Sequence, residues 1–94
     1  MDKDEARAIL QEHINHWKQL SYEELRSRLE RKNGEVIEVK GPSGTDYCLE
    51  MEVRWETRPG EAIRVLGSID DGGLASLLPI SADFIVYPEG RKSN

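Results

Sequence analysis

Ten consecutive residues, Tyr47 to Glu56, alternate strictly between apolar and polar side chains. The apolar positions are Tyr47, Leu49, Met51, Val53 and Trp55, and the polar positions are Cys48, Glu50, Glu52, Arg54 and Glu56. Successive side chains of a β-strand point to opposite faces of the sheet. The pattern therefore predicts a strand with one buried face and one face in water.

Composition and charge exclude several classes of protein. The chain has 94 residues and a net charge of −5, which residues 33–94 contribute entirely. An acidic half of this kind repels phosphate, so we expect no nucleic-acid partner. The longest apolar run is far shorter than the roughly 20 residues that cross a bilayer, so we expect no membrane association. Cys48 is the single cysteine and the N-terminus is acidic, which favours a cytoplasmic protein without disulfides.

The first third of the chain has helical periodicity. Apolar residues recur at steps of three and four between residues 2 and 20, which predicts a helix with one buried face. Ser21 and Glu24 then form a capping box, so a second helix should begin at Tyr22. Asn33-Gly34 should end it. The sequence leaves open whether these are two helices or one bent helix.

Strand signals follow at Val36–Lys40, Tyr47–Glu56 and Ile63–Ile69. The second and third must pair so that their apolar residues share a face, which leaves two registers. Paired residue numbers would sum to 118, with Arg54 opposite Arg64, or to 120, with Glu56 opposite Arg64. We prefer 120 because like charges directly opposite each other are unfavourable.

The remaining chain is predicted from its turns. Asp71-Gly72 is a strong signal for a tight hairpin, which would place Ile69 opposite Leu74 and Leu66 opposite Leu77. A fourth strand would then cover about residues 74–78. Residues 81–84 resemble a capped helical turn, residues 85–87 an apolar tail, and residues 88–94 should fray.

These elements predict one α+β domain over residues 1–94. A helical segment, 2–32, packs on a four-stranded antiparallel meander within 35–80, and a short turn and tail follow at 81–94. The predicted inward residues are Ile14, Trp17, Leu25, Leu29, Leu49, Met51, Val53, Trp55, Ile63, Val65, Ile69 and Phe84.

Chemically reactive motifs are weak in this chain. His13 and His16 are three residues apart on a helix and could approach one metal with Asp70, but no recognised metal spacing is present. A nucleophilic Cys48 would need a base beside it, and the sequence places none there. We therefore expect no cofactor, no metal and no catalytic group, and a non-enzymatic module that binds another protein or a second copy of itself.

The strongest interaction candidate is the polar face of the sheet. Under the predicted register, Leu66 and Leu77 form a small apolar patch there beside Arg54 and Arg64, and such a patch could bind a partner. The alternative is that residues 85–87 fold over this face.

A pocket between helix and sheet is the competing hypothesis. A helix laid across a curved sheet can enclose a small ligand or a hydrolytic site, as in cystatin-like folds, and this analogy rests on architecture. The pocket would be lined by His13, Trp17, Tyr22, Met51 and Trp55.

Short motifs also resemble a family of small bacterial proteins. They are Ile69-Asp70-Asp71-Gly72-Gly73, the stretch Leu78–Ile85 with its Pro-Ile-Ser-x-x-Phe-Ile pattern, and Leu20–Leu25. The chain departs from the family at Ile80, where Leu is expected. The resemblance implies a bacterial, cytosolic single domain with no known activity, so it assigns no catalytic residue.

Overall fold

The computed structural model describes residues 2–31, 34–73 and 79–93, which form two helices and an antiparallel sheet. The elements are α1 (Lys3–Trp17), α2 (Tyr22–Glu30), β1 (Glu35–Lys40), β2 (Asp46–Trp55), β3 (Ile63–Asp70), β4 (Ile80–Val86) and β5 (Lys92–Ser93). The strand order is β1-β2-β3-β4-β5, so neighbours in the sheet are neighbours in the chain. The predicted α+β class is confirmed, with five strands in place of four.

The helices are separate and begin at the expected kind of residue. The side chain of Asp2 accepts a hydrogen bond from the amide of Glu5 at the start of α1. The hydroxyl of Ser21 accepts one from the amide of Glu24, at 3.1 Å, at the start of α2. Each bond satisfies a backbone amide that the helix leaves without a partner. Of the two hydrogen bonds of the predicted capping box, the one from the amide of Glu24 to the side chain of Ser21 is therefore confirmed.

The preferred register of β2 and β3 is wrong. The partners sum to 118, with Trp55 opposite Ile63 and Arg54 opposite Arg64. Repulsion between the two arginines is tolerated because the guanidinium of Arg64 is neutralised by Glu56 on one side and by Asp83 on the other. The charge pair that favoured 120 thus forms diagonally, without setting the register.

The fourth strand is also displaced from its predicted place. Ile69 pairs with Ile80, and Leu66 pairs with Asp83, so the predicted pairing of β3 with residues 74–78 is wrong. Those five residues lie outside the described part of the chain. The predicted helical turn over residues 81–84 is a strand instead, because Ala82, Phe84 and Val86 face the core at every second position.

The end of the chain is more ordered than predicted. Tyr87 and Gly90 close a turn, in which the amide of Gly90 donates to the carbonyl of Tyr87 at 2.8 Å. β5 then pairs with Ile85 and Val86. The expected fraying of residues 88–94 is therefore wrong for the residues up to Ser93.

The core lies between the helices and one face of the sheet, which we call the inner face. α1 packs on β3 and β4, and α2 packs on β2 and β3. Gly67 lets α1 approach, because a Cβ atom there would lie 3.0 Å from Cδ1 of Leu10. Of the predicted inward residues, Leu29, Val53 and Trp55 are partly buried. The other nine are buried, namely Ile14, Trp17, Leu25, Leu49, Met51, Ile63, Val65, Ile69 and Phe84.

The two helices also contact the β1–β2 hairpin near each end of β1. Beyond the far end of β1, the carboxylate of Glu5 accepts hydrogen bonds from the amide and hydroxyl of Ser43 in the loop, at 3.0 and 2.7 Å, and from the hydroxyl of Tyr47 of β2, at 2.8 Å. At the near end of β1, Arg28 lies 3.8 Å from the carboxylate of Glu35. Between its two ends, β1 is held in the sheet mainly by its pairing with β2.

Candidate functional site

The sheet face opposite the helices, here the outer face, is not covered by any other part of the described chain. Its side chains come from every second position of each strand. They are Val36, Glu38 and Lys40 of β1, Cys48, Glu50, Glu52 and Arg54 of β2, Arg64, Leu66, Ser68 and Asp70 of β3, and Ser81, Asp83 and Ile85 of β4. Five carboxylates and three basic groups make it a mostly acidic surface.

Three of the four residues in the predicted interaction patch lie on this face. Leu66 is half-buried between Glu52 and Asp83, and Arg54 and Arg64 are opposite each other one row away. The fourth, Leu77, is outside the described residues. The alternative that residues 85–87 cover the face is wrong, because residues 85 and 86 belong to β4 within the sheet.

The two arginines of this face differ in their partners. Nη2 of Arg64 donates to Glu56 at 2.8 Å, and the same guanidinium contacts Asp83. The hydrogen bonds from Arg64 hold the pKa of Glu56 below its usual value. Arg54 is exposed and has no ion pair with any described residue. Its charge is therefore available to a binding partner.

A shallow concavity of about 350 Å³ lies on the β1 side of the outer face. Val36, Glu50, Ser68 and Ser81 form one row across four strands, and the two serines are small, so the surface dips there. Val36 is 68% exposed, and among the described residues no other large hydrophobic side chain is exposed. Val36 was not among the predicted site residues, although its even position in β1 places it on the same face as Glu50 and Ser68.

A second concavity, of about 480 Å³, includes Cys48 and Glu38. The Cys48 thiol lies in a row between Glu38 and Asp70. Burial and the negative charges of Asp70, Glu50 and Glu38 raise the pKa of this thiol. A thiol that stays protonated is a poor nucleophile. The environment therefore does not favour catalysis by Cys48.

The weak metal candidates are not brought together. His13 is on α1, where its Nδ1 lies 3.0 Å from the carbonyl of Ile9, and His16 is exposed near the end of the same helix. Asp70 is on the outer face, and α1 packs on the inner one. Within residues 2–31, 34–73 and 79–93, no group of three or more His, Cys, Asp or Glu side chains could hold a metal ion.

The residues of the predicted pocket are mostly occupied by packing. Trp17, Tyr22 and Met51 are buried in the core. The guanidinium of Arg28 lies 4.7 Å from the ring centre of Trp17, and that of Arg26 lies 5.8 Å from the ring centre of Trp55. The hydroxyl of Tyr22 is also engaged, because it donates to the carbonyl of Glu61 at 2.6 Å. These contacts do not favour a ligand between helix and sheet.

Comparisons with known proteins identify no family for this chain. No protein-family model, no curated protein and no solved structure matches this chain. In the described residues, no helix is long and apolar enough to cross a membrane. The resemblance to a bacterial family therefore stays a prediction, and the outer face is the feature from which a function can be argued.

Proposed function

We propose that this protein is a small, non-enzymatic module that binds another protein through the outer face of its sheet. The observation that supports it most is the exposure of Val36, beside a concavity that Leu66 also lines. An exposed apolar side chain beside a concavity, surrounded by polar groups, offers a partner an anchoring contact. The predicted patch of Leu66, Arg54 and Arg64 belongs to the same surface.

The charges of the outer face support a specific interaction. Arg54 and the carboxylates of Glu50 and Glu52 lie near the apolar residues, and they have no ion pair with another described residue. Charges around an apolar centre give a partner its orientation and reject partners of the wrong charge. A flat ionic surface without exposed apolar residues would favour simple solubility instead.

The proposal includes a bacterial, cytoplasmic setting. Cys48 is a free thiol, which agrees with a reducing compartment. The bacterial origin rests on the resemblance of the Ile69–Gly73 and Leu78–Ile85 motifs.

The experiment compares two variants as immobilised baits for proteins of the source cell. Leu66→Asp places a charge on the outer face, and Asn15→Asp places one on the exposed side of α1 as a matched control. Both should keep the circular dichroism spectrum of the wild type. Leu66→Asp should have a lower urea midpoint, because it places a carboxylate between Glu52 and Asp83, and binding is compared where both variants are folded. We expect quantitative mass spectrometry to find proteins that the wild type and Asn15→Asp retain and that Leu66→Asp loses by about tenfold or more.

Identical captured sets for all three baits would contradict the proposal. Light scattering of the free protein at high concentration then tests the remaining form of it, self-association. A monomer at all concentrations together with identical captured sets would remove the outer face from consideration.

A further inference from the structure

Among the described residues, β1 forms the longer of the two edges of the sheet, and no described strand pairs with its outer side. β1 has six residues and is paired on one side by β2, and the opposite edge of the sheet is the two-residue β5. An edge strand presents backbone N–H and C=O groups that can pair with another chain. Which backbone groups of β1 face away from β2 determines which chain can pair with them.

The hydrogen bond that closes the β1–β2 hairpin identifies the free groups. The amide of Gly41 donates to the carbonyl of Thr45 at 2.8 Å. Gly41 is therefore a hydrogen-bonded position of the ladder, and in an antiparallel pair such positions alternate along the strand. Val39, Ile37 and Glu35 bond to β2 by the same rule. The backbone groups of Val36, Glu38 and Lys40 consequently point away from the sheet.

The inner side of this edge is apolar and incompletely covered. Ile37 and Val39 are partly buried and pack against the core. The helices pack on β2, β3 and β4. Arg28 of α2 lies near Glu35 at one end of β1, and Glu5 of α1 contacts Ser43 in the loop beyond the other end. A strand added to the edge would bury the remaining surface of Ile37 and Val39 if it had apolar residues at its inner positions.

The outer side of the edge selects for charge. Lys40 is paired with Asp46, at 2.8 Å, and Val36 is apolar. Glu38 lies between them and has no ion pair with any described residue. A cross-strand pair of opposite charges stabilises a sheet, so the position opposite Glu38 favours Lys or Arg.

A second copy of this chain fits the edge poorly. Two β1 strands related by a two-fold axis must pair through Val36, Glu38 and Lys40. The register that places Ile37 against Val39 of the other copy also places Glu38 against Glu38, which is unfavourable. A shift of two residues in one direction sets the carboxylate of Glu35 against Val39. A shift in the other direction pairs Glu38 with Lys40, but it sets Ile37 against Gly41 and Val36 against Pro42, beyond the end of β1, so that only residues 38–40 pair. The occupant that fits is therefore a segment of a different protein.

We infer that the edge of β1 binds an extended segment of a partner protein, which adds antiparallel to the sheet. The segment has a basic residue opposite Glu38 and apolar residues opposite Ile37, Val39 and Val36. Main-chain hydrogen bonds to Val36, Glu38 and Lys40 supply affinity, and the alternating side chains supply specificity. The inference rests on the proposed function and adds where the partner docks and what its sequence is like.

The test uses a synthetic peptide, acetyl-Thr-Val-Lys-Val-Val-Thr-amide, with the ¹⁵N-labelled protein. We expect NMR shift changes concentrated at residues 35–40, with cross-strand contacts between the peptide and β1. In the free protein, the amide protons of Val36, Glu38 and Lys40 should exchange much faster with solvent than those of Ile37 and Val39. Slow exchange of the first three in a monomer would overturn the inference.

Two matched peptides test the backbone register. N-methylation of the peptide lysine removes a hydrogen bond to Glu38 and should weaken binding by roughly tenfold or more. N-methylation of the valine opposite Ile37 alters an amide that points away from β1 and should leave binding nearly unchanged. Equal effects of the two modifications would contradict the predicted pairing.

Two protein variants test the edge itself. Glu38→Pro removes an amide that faces solvent, so the fold should persist and peptide binding should disappear. Glu38→Lys should weaken binding of the lysine peptide by roughly three- to tenfold and favour a peptide with glutamate in its place. Unchanged binding by Glu38→Pro would overturn the inference, as would no binding of any peptide at millimolar concentration.

These outcomes are distinct from a failure of the proposed function. A peptide that shifts Leu66 and Ser81 but not β1 would overturn the edge site while leaving the outer face as the binding surface. A dimer that Glu38→Pro dissociates would replace the partner segment with a second copy and overturn the inference as stated.

Discussion

The inner and outer faces of the sheet are formed by alternate residues of the same strands. The inner face is apolar and buried under the helices, and the outer face is mostly polar and uncovered by the described chain. On the inner face, apolar pairs such as Val65 and Phe84 lie under the helices and are fully buried. On the outer face, the neighbouring row joins Leu66 to Glu52 and Asp83, and no described segment covers it. The inner residues of each strand thus stabilise the fold, and the outer residues can contribute to binding without being needed for stability. Substitutions one residue apart should separate these two roles.

The largest difference is expected in β4. Phe84→Ala would leave a cavity under α1, because Phe84 is 0% exposed, and should lower the free energy of unfolding by about 3–5 kcal/mol. Ser81→Ala, on the exposed outer face, should change it by no more than about 0.5 kcal/mol. Urea unfolding of both variants measures the two values, and similar losses would contradict the division between the faces.

Gly67 and Ser68 give a second comparison within one strand. A Cβ at Gly67 would lie 2.8 Å from Sδ of Met51 and 3.0 Å from Cδ1 of Leu10, in a filled core. Gly67→Val should therefore destabilise the protein by about 1–3 kcal/mol through overpacking. Ser68→Val adds the same side chain to the outer face and should be neutral within about 0.5 kcal/mol. A neutral Gly67→Val would mean that α1 can move away from β3.

The arginines test the outer face by itself. Arg64→Met should raise the pKa of Glu56 towards its usual value of 4.5, because hydrogen bonds from Arg64 are the main cause of its lowering. Arg54→Met should raise it less, since Arg54 acts through charge without an ion pair. The pKa of Glu56 is lower in the folded chain, so the Arg64 pair stabilises the fold above about pH 4.5 and is lost as the pH falls. NMR titration of Glu56 measures this order, and a larger effect of Arg54→Met would reverse it.

The smallest effect concerns a carboxylate that contacts an inner-face residue. Hydrogen bonds from Ser43 and Tyr47 lower the pKa of Glu5 below 4.5, so its contribution to stability is present above that pH and disappears on acidification. Glu5→Gln should be less stable than the wild type at pH 7, and the difference should shrink as the pH falls below 4.5. Burial, with the hydrogen bond to Glu5, raises the pKa of Tyr47 to about 12, and the variant should lower it. A stability difference that does not change with pH would contradict this account.

The sequence predicted the elements whose periodicity is unbroken. The helices, the alternation of β2 and the parity of the inner face follow from spacing, and the buried set agrees with them. β4 was missed because Ile85 interrupts the alternation and because Ser81 after Pro79 resembles a helix start. The Asp71-Gly72 pair also suggested an immediate return of the chain. The side chains of Asp70 and Asp71 do accept hydrogen bonds from Gly72 and Gly73, but β3 is next paired at Ile80.

The sequence predicted which residues share the outer face, but it did not predict which strand lies at the edge of the sheet. Arg54, Arg64 and Leu66 could be assigned to one face from their parity, whichever even register applied. Val36 and Glu38 could not be recognised as edge residues, because the position of a strand in a sheet depends on which strands pair. Pairing is a property of the whole fold. The predicted register is wrong because Arg64 reaches Glu56 diagonally, so their ion pair forms without the two residues being opposite each other.

The strand order of the sheet has a consequence for how the chain folds. Every strand pairs with its immediate predecessor, so each new pairing closes a short loop and costs little chain entropy. Such a topology can grow by adding one strand at a time, and its contacts are more local than those of a sandwich with long connections. At each stage the newest strand is an open edge until the next one joins. β1 differs from the strands that follow it, since its edge forms with the first hairpin and no later element of the described chain pairs with it.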